Sequence, residues 1–337
     1  MLHAFRRFTW IPVLLAAATS ALAAQVGWTQ LELPGPTPRS AGTVVVLYYP
    51  TQAKAREIPM GPFILHVAPQ AAPEPGIRGL VLVSHGLGGS ELGHSRIAEA
   101  LAANGYLVAA LRHPGDNWQD STLINQTPER YFLERPRQVS RVIDALLADP
   151  AWKDRIPRDA KGPKIAAFGH SAGGYTVVAL AGGVPDSARL AQHCQGDKAK
   201  EDPLFCSTGR RDRPDPPRDP RPLKDPRVRA VAALAPVGVL FSAASLAKVD
   251  IPVVVYAGEK DRWLVPRFHA QWIVSNVPGA EYRPVPNAWH FAFMDTPTMP
   301  IPTPDGDIRD DPPGFDRAAF LRTLGAELMV FFDRTLR

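Results

Sequence analysis

Apolar residues along this chain fall into short continuous runs that alternate with spaced stripes. Thr43–Tyr49 is rich in β-branched and aromatic residues and predicts a strand. Leu80–Ser84 is an uninterrupted apolar run, the pattern of a strand buried on both faces. Ser95–Ala103 reads as a helix closed by Asn104-Gly105, and Tyr106–Leu111 returns as a strand. Val139, Val142, Ile143, Leu146 and Leu147 recur at i, i+3, i+4, i+7 and i+8, which predicts an amphipathic helix after Pro136. Lys164–Phe168, Val228–Leu234, Val253–Ala257 and Tyr282–Val285 predict further strands. Tyr175–Ala181 and Phe320–Leu336 predict helices, the second with Leu324, Leu328, Phe331 and Phe332 on one side.

Strands alternating with helices predict an α/β fold: a mostly parallel central sheet with helices on both faces. The interruption is residues 185–226. It holds both cysteines of the chain and, between 214 and 226, six prolines among Arg and Asp residues. It is aperiodic and reads as a Pro-rich, lid-like insertion between a helix and a strand rather than a second domain.

Composition narrows the class. Of 337 residues, 45% are hydrophobic and 21% charged, which excludes a disordered or collagen-like chain. Proline, at 36 residues, is about twice ordinary usage and implies many loops. The net charge of +5 is too small, and its basic residues too little interleaved with aromatics, to suggest a nucleic-acid partner.

Arg6 and Arg7 precede an apolar run from Phe8 to Ala18, followed by Thr19-Ser20-Ala21-Leu22-Ala23-Ala24. This is the pattern of a secretory signal peptide, residues 1–24, too short for a membrane span. The mature chain, 25–337, is then one exported domain, periplasmic or secreted, with no integral membrane span and expected to be monomeric. In an oxidising compartment Cys194 and Cys206 are expected to form a disulfide. With only His193 nearby they lack metal-site spacing, and no metal is expected.

Candidate chemistry lies at strand ends. Gly169-His170-Ser171-Ala172-Gly173 follows one predicted strand directly and opens a helix. That is G-x-S-x-G in the context its strained turn requires, with Ser171 at the apex as nucleophile. His85-Gly86-Leu87-Gly88-Gly89 follows another strand, where glycines free backbone N–H groups for an oxyanion hole; Leu87 and Ala172 are the expected donors. His85 itself reads as structural. The glycines match no phosphate-cradle pattern.

A serine nucleophile needs a base and the base an orienting acid, in the chain order Ser, acid, His. Of nine histidines, His269 and His290 follow both Ser171 and an acid. His290 lies in the loop after a strand, whereas His269 lies in a helix-like crossover, so His290 is the expected base. The acid candidates are Asp250, Glu259, Asp261 and Asp295. Asp250 is at the wrong end of its strand; Asp261 is favoured at the carboxyl end, with Glu259 its rival. Trp118, Trp263, Phe268, Trp289 and Phe291 lie on or beside these loops and are candidates to line a substrate pocket.

On these stretches, together with Tyr48-Tyr49-Pro50, His113-Pro114-Gly115-Asp116, Gly258-Glu259-Lys260-Asp261 and Asp311–Arg317, the chain resembles the α/β-hydrolase superfamily. More narrowly it resembles exported bacterial proteins of the dienelactone-hydrolase-like and platelet-activating-factor-acetylhydrolase-like branch, over roughly residues 26–336. Dienelactone hydrolases use a cysteine where this chain has Ser171, which favours ordinary esters. The acetylhydrolases take their acid from the preceding strand end, but Leu234–Phe241 holds no carboxylate here, which leaves Asp261. The resemblance implies an α/β-hydrolase fold and a serine esterase acting without a cofactor. Its substrate would be a small-molecule, lipid or polymer ester. An acyltransferase with the same triad, or a non-catalytic binding protein on this scaffold, are the competing classes.

Overall fold

The computed structural model describes residues 24–37, 40–207 and 222–337. The signal-peptide segment except Ala24, and residues 214–221 of the Pro-rich stretch, lie outside the described residues.

Among them, ten strands form one sheet. They are β1 (Gln25–Leu33), β2 (Thr43–Thr51), β3 (Arg56–Met60), β4 (Phe63–Pro69), β5 (Leu80–Ser84), β6 (Leu107–Leu111), β7 (Ile165–His170), β8 (Val228–Leu234), β9 (Val253–Gly258) and β10 (Glu281–Val285). The order across the sheet is β10-β9-β8-β7-β5-β6-β2-β1-β4-β3. From β10 to β6 every neighbouring pair is parallel. β2 is antiparallel to β6 and β1 antiparallel to β2.

The parallel strands are apolar at successive positions because both faces are covered. Leu80, Leu82, Ile165, Ala167, Val253 and Val255 join a core with helices α2 (Pro128–Ala148) and α3 (Ala172–Ala181). The intervening Val81, Val83, Ala166, Phe168, Val254 and Tyr256 join the opposite core with α1 (Ser95–Ala103) and α9 (Arg317–Thr335). Each large aliphatic or aromatic side chain so buried stabilises the fold by about 1.5–3 kcal/mol.

Three strands have no counterpart in the sequence reading. β1 and β3 carry polar, part-exposed positions, so no apolar run marks them, and in β4 the apolar stretch is broken by the exposed His66. The helix expected after Pro136 in fact starts at Pro128, with Pro136 in its interior. Proline has no N–H for the carbonyl four residues earlier. That carbonyl, of Phe132, instead accepts the Tyr175 hydroxyl at 2.9 Å, tying α2 to α3.

The insertion is not structureless. Its described residues contain three short helices, α4 (Ser187–His193), α5 (Asp197–Glu201) and α6 (Pro203–Ser207), and the Cys194–Cys206 disulfide joins the end of the first to the last. A crossover carrying α7 (Ala243–Leu246) connects β8 to β9, and α8 (Ala270–Asn276) connects β9 to β10.

Candidate active site

Ser171 stands between the end of β7 and the start of α3 with φ 57° and ψ −117°. This backbone region is unfavourable for a residue with a side chain. Its surroundings hold it there: the Ser171 amide donates to Leu234 O at 2.9 Å, and its carbonyl accepts from the Val237 amide at 3.2 Å. The flanking glycines are required by contact. A Cβ at Gly169 would fall on the Gly173 carbonyl, and one at Gly173 on the Ser84 carbonyl. One at Gly174 would lie 2.8 Å from Pro236 Cα.

His290 begins a single 3-10 turn, His290–Phe293, beyond β10. Its Nδ1 lies 2.8 Å from Asp261 Oδ2, and both residues are buried. The other carboxylate oxygen, Oδ1, accepts the amides of Trp263 at 2.9 Å and Leu264 at 2.8 Å. Three donors fix the carboxylate, and its acceptance at Oδ2 places the imidazole proton on Nδ1. His290 Nε2 is left to act as a base. His290 and Ser171 line the same cavity. The Ser171 hydroxyl makes no hydrogen bond among the described residues, which leaves it free to turn toward His290; in unliganded sites such contacts are often long and close only on substrate.

The rival residues are engaged elsewhere. Glu259 accepts the Asn287 amide at 2.9 Å. Asp250 pairs with Lys224 at 2.6 Å. Asp295, whose pKa burial pushes up to about 6, accepts the Ser95 hydroxyl and the Arg96 amide. His170 packs its ring 4.8 Å from that of His290 and donates from Nε2 to the His290 carbonyl at 2.9 Å. Burial, then the proximity of His290, holds its pKa well below the ordinary value.

The His85–Gly89 loop passes beside the serine turn: a Cβ at Gly86 would lie 3.3 Å from Ser171 Cβ. His85 donates from Nδ1 to Gly86 O at 2.7 Å and accepts the His113 amide on Nε2 at 3.1 Å. Burial, reinforced by Arg135, lowers its pKa to about 4. His85 is therefore a neutral strut. The amides of Leu87 and Ala172 have no acceptor among the described residues, and both residues line the cavity.

That cavity holds about 1580 Å³ and is walled mainly by apolar side chains. Trp263, Phe291 and Trp118 line it. Trp289 and Phe268 do not, which corrects the sequence reading. Trp289 is turned into the core against Phe291, its Nε1 donating to Asp311 at 3.3 Å. Phe268 stacks instead against His193 and under Arg267. Position on a loop does not fix side-chain direction, and only packing tells which residue faces the cavity. The sequence reading also missed Trp28, Tyr131, Phe132 and the 299–304 segment, which complete the wall. Leu190, Cys194 and Phe205 of the insertion contribute one side.

His193, Asp202 and His269 bring three potential metal-ligand atoms within 4.8 Å of one another, all buried. Hydrogen bonding assigns them another role. The Gly238 amide donates to His269 Nδ1 at 3.2 Å, which places the ring proton on Nε2, aimed at Asp202 Oδ2 at 2.8 Å. A metal-bound imidazole needs the opposite tautomer, a bare Nε2 and a donating Nδ1. His193 Nε2 meets the same oxygen at 2.8 Å. The set anchors the insertion to the loop preceding α8, and this is what His269 does instead of serving as the base.

Sheet order and strand-end turns define the α/β-hydrolase fold. The profile of a family described as serine aminopeptidase, S33, matches residues 75–194, which span β5 to α4 and include Ser171 but neither Asp261 nor His290. A solved ferulic acid esterase from Streptomyces cinnamoneus aligns with a TM-score of 0.60 at 21% identity, over 96% of this chain and 92% of that one. No curated protein matches the sequence.

Proposed function

We propose that this chain is a serine-dependent carboxylic ester hydrolase of the dienelactone-hydrolase-like and acetylhydrolase-like branch, acting through an acyl-enzyme. The observation that carries the reading is the 2.8 Å bond from His290 Nδ1 to the doubly capped carboxylate of Asp261, beside a serine held at positive φ in the same cavity. His290 Nε2 takes the proton from Ser171 as Oγ attacks the ester carbonyl. Asp261 holds the tautomer and stabilises the imidazolium. The Leu87 and Ala172 amides receive the oxyanion, each worth ~10²–10³ in rate where such donors have been removed. His290 then protonates the leaving alcohol and activates water to release the acid.

The cavity lining supports neutral, bulky acyl or aryl esters. Among the described residues its only Asp, Glu, Lys or Arg members are Glu91 and Arg112, and these pair with each other at 2.5 Å. Export by the signal segment would place the enzyme in the periplasm or outside the cell. The deciding experiment is Ser171→Ala on p-nitrophenyl esters. We expect kcat to fall by several decades, on the ~10⁶ scale of a comparable triad; a loss below about tenfold would reject the assignment.

A further inference from the structure

Behind the two free amides lies a charged network centred on Arg135 and Asp116, neither of which lines the cavity. Arg135 of α2 and Asp116 have fully buried side chains. Arg135 Nη1 pairs with Asp116 Oδ2. Nη2 donates to the His85 carbonyl and to Ser84 Oγ, the latter at 3.3 Å. Nε donates to Thr176 Oγ1 at 3.1 Å. Asp116 in turn accepts the Gly88 amide on Oδ1 at 2.7 Å and the Tyr131 hydroxyl on Oδ2 at 2.6 Å. The Thr176 hydroxyl donates to the Ala172 carbonyl at 2.8 Å.

These bonds converge on two peptide segments. The His85 carbonyl and the Gly88 amide lie on either side of Leu87. Arg135 holds the first directly and the second through Asp116. On the facing segment, Ala172 is held by its carbonyl through Thr176, which Arg135 also engages. One guanidinium therefore links the backbone that presents the Leu87 N–H to the backbone that presents the Ala172 N–H. Its planar, forked donors can satisfy three directions at fixed angles; a lysine ammonium is a point charge on a flexible stem and cannot. A buried ion pair is often no more stabilising than apolar side chains of equal volume. Fold stability alone therefore does not account for placing one behind this loop.

We propose that Arg135 is a positioning residue that sets the separation and direction of the Leu87 and Ala172 amides as an oxyanion hole. The proposal rests on the reading of Ser171 as the nucleophile. An interaction realised at the transition state shows in kcat and leaves KM largely unchanged. A shift of about 1 Å in such a group can cost ~10²-fold.

The test uses Arg135→Lys and Thr176→Val in the full chain, with p-nitrophenyl butyrate as substrate and an alkyl trifluoromethyl ketone as inhibitor. The ketone's adduct with Ser171 carries an oxyanion where the reaction does. For R135K we expect kcat to fall about 10²-fold with KM within about threefold, and ketone affinity to weaken in parallel with kcat/KM. T176V keeps the side-chain shape and the Arg135–Asp116 pair, and is expected to lose about tenfold in kcat with the same pattern. If R135K does not fold, T176V decides by the same split. Folded variants whose kcat stays within about threefold of the parent, or whose loss lies wholly in KM, overturn the proposal. Ser171→Ala run alongside separates the two readings. If it retains parental turnover, the nucleophile assignment falls and the brace with it. If it is silent while R135K and T176V match the parent, only the brace falls.

Discussion

Asp261 and Glu259 are two residues apart on one loop, and their directions differ because the loop turns back on itself between them. Asp261 caps the amides of Trp263 and Leu264, which aims its second oxygen at His290, whereas Glu259 reaches outward to Asn287. Asp261→Asn should therefore cost ~10³–10⁴ in kcat, because the amide no longer enforces the Nδ1–H tautomer. Glu259→Gln should leave kcat within about twofold. Steady-state kinetics of the two variants check this, and the reverse ranking would move the acid to Glu259. The choice between the two was open in the sequence because linear position does not encode side-chain direction. Arg135 was legible only as an anomaly, a charged residue four before Val139 on the apolar stripe of its helix.

At the scale of elements, the described part of the insertion is tied to the rest of the chain by polar contacts as well as by apolar packing. Asp202 ties it to His269, Arg267 pairs with Glu201, and the disulfide joins α4 to α6. Burial alone would raise the Asp202 pKa, but the hydrogen bonds from His193 and His269 outweigh it and hold the carboxyl below its ordinary value. A depressed folded-state pKa means stability present above the unfolded value of about 4 and lost as pH falls below it. Asp202→Asn should thus lower stability by about 1.5–3 kcal/mol at neutral pH. The gap in Tm between variant and parent, present at pH 7, should close as pH falls below about 4. Thermal melts across that range check it; a gap that widens on acidification would contradict the anchor. The three short helices here left no trace in the sequence reading, because α5 and α6 bury no residue and have no apolar period. Single apolar side chains, Leu190 of α4 and Phe205 of α6, pack against the core, and the polar links and the disulfide supplement them.

At the scale of the molecule, ten strands bring loops from residues 85 to 290 to one rim, and the insertion walls one side of the space between them. An apolar chamber whose described lining holds one internally satisfied ion pair predicts selection by shape and hydrophobic area rather than by charge. Over p-nitrophenyl esters, kcat/KM should rise at least about tenfold from acetate to the preferred longer or aryl acyl group, since a few buried methylenes are worth that much. Trp263→Ala should lower kcat/KM for that group and leave acetate within about twofold. Equal rates across the series would argue against a shaped pocket.

The chain alone determined the α/β layering, the contiguous strands from β10 to β2, the serine turn and the pair of loops that face it. These depend on local steric demands and on burial of both sheet faces, which residue type and spacing record directly. Only the folded chain decided which carboxylate meets the imidazole, that His269 is an anchor, that Trp289 turns away from the cavity, and that a guanidinium on α2 stands behind both amides. Those outcomes depend on where side chains from distant segments point once the backbone is packed, and no periodicity in the sequence carries that information.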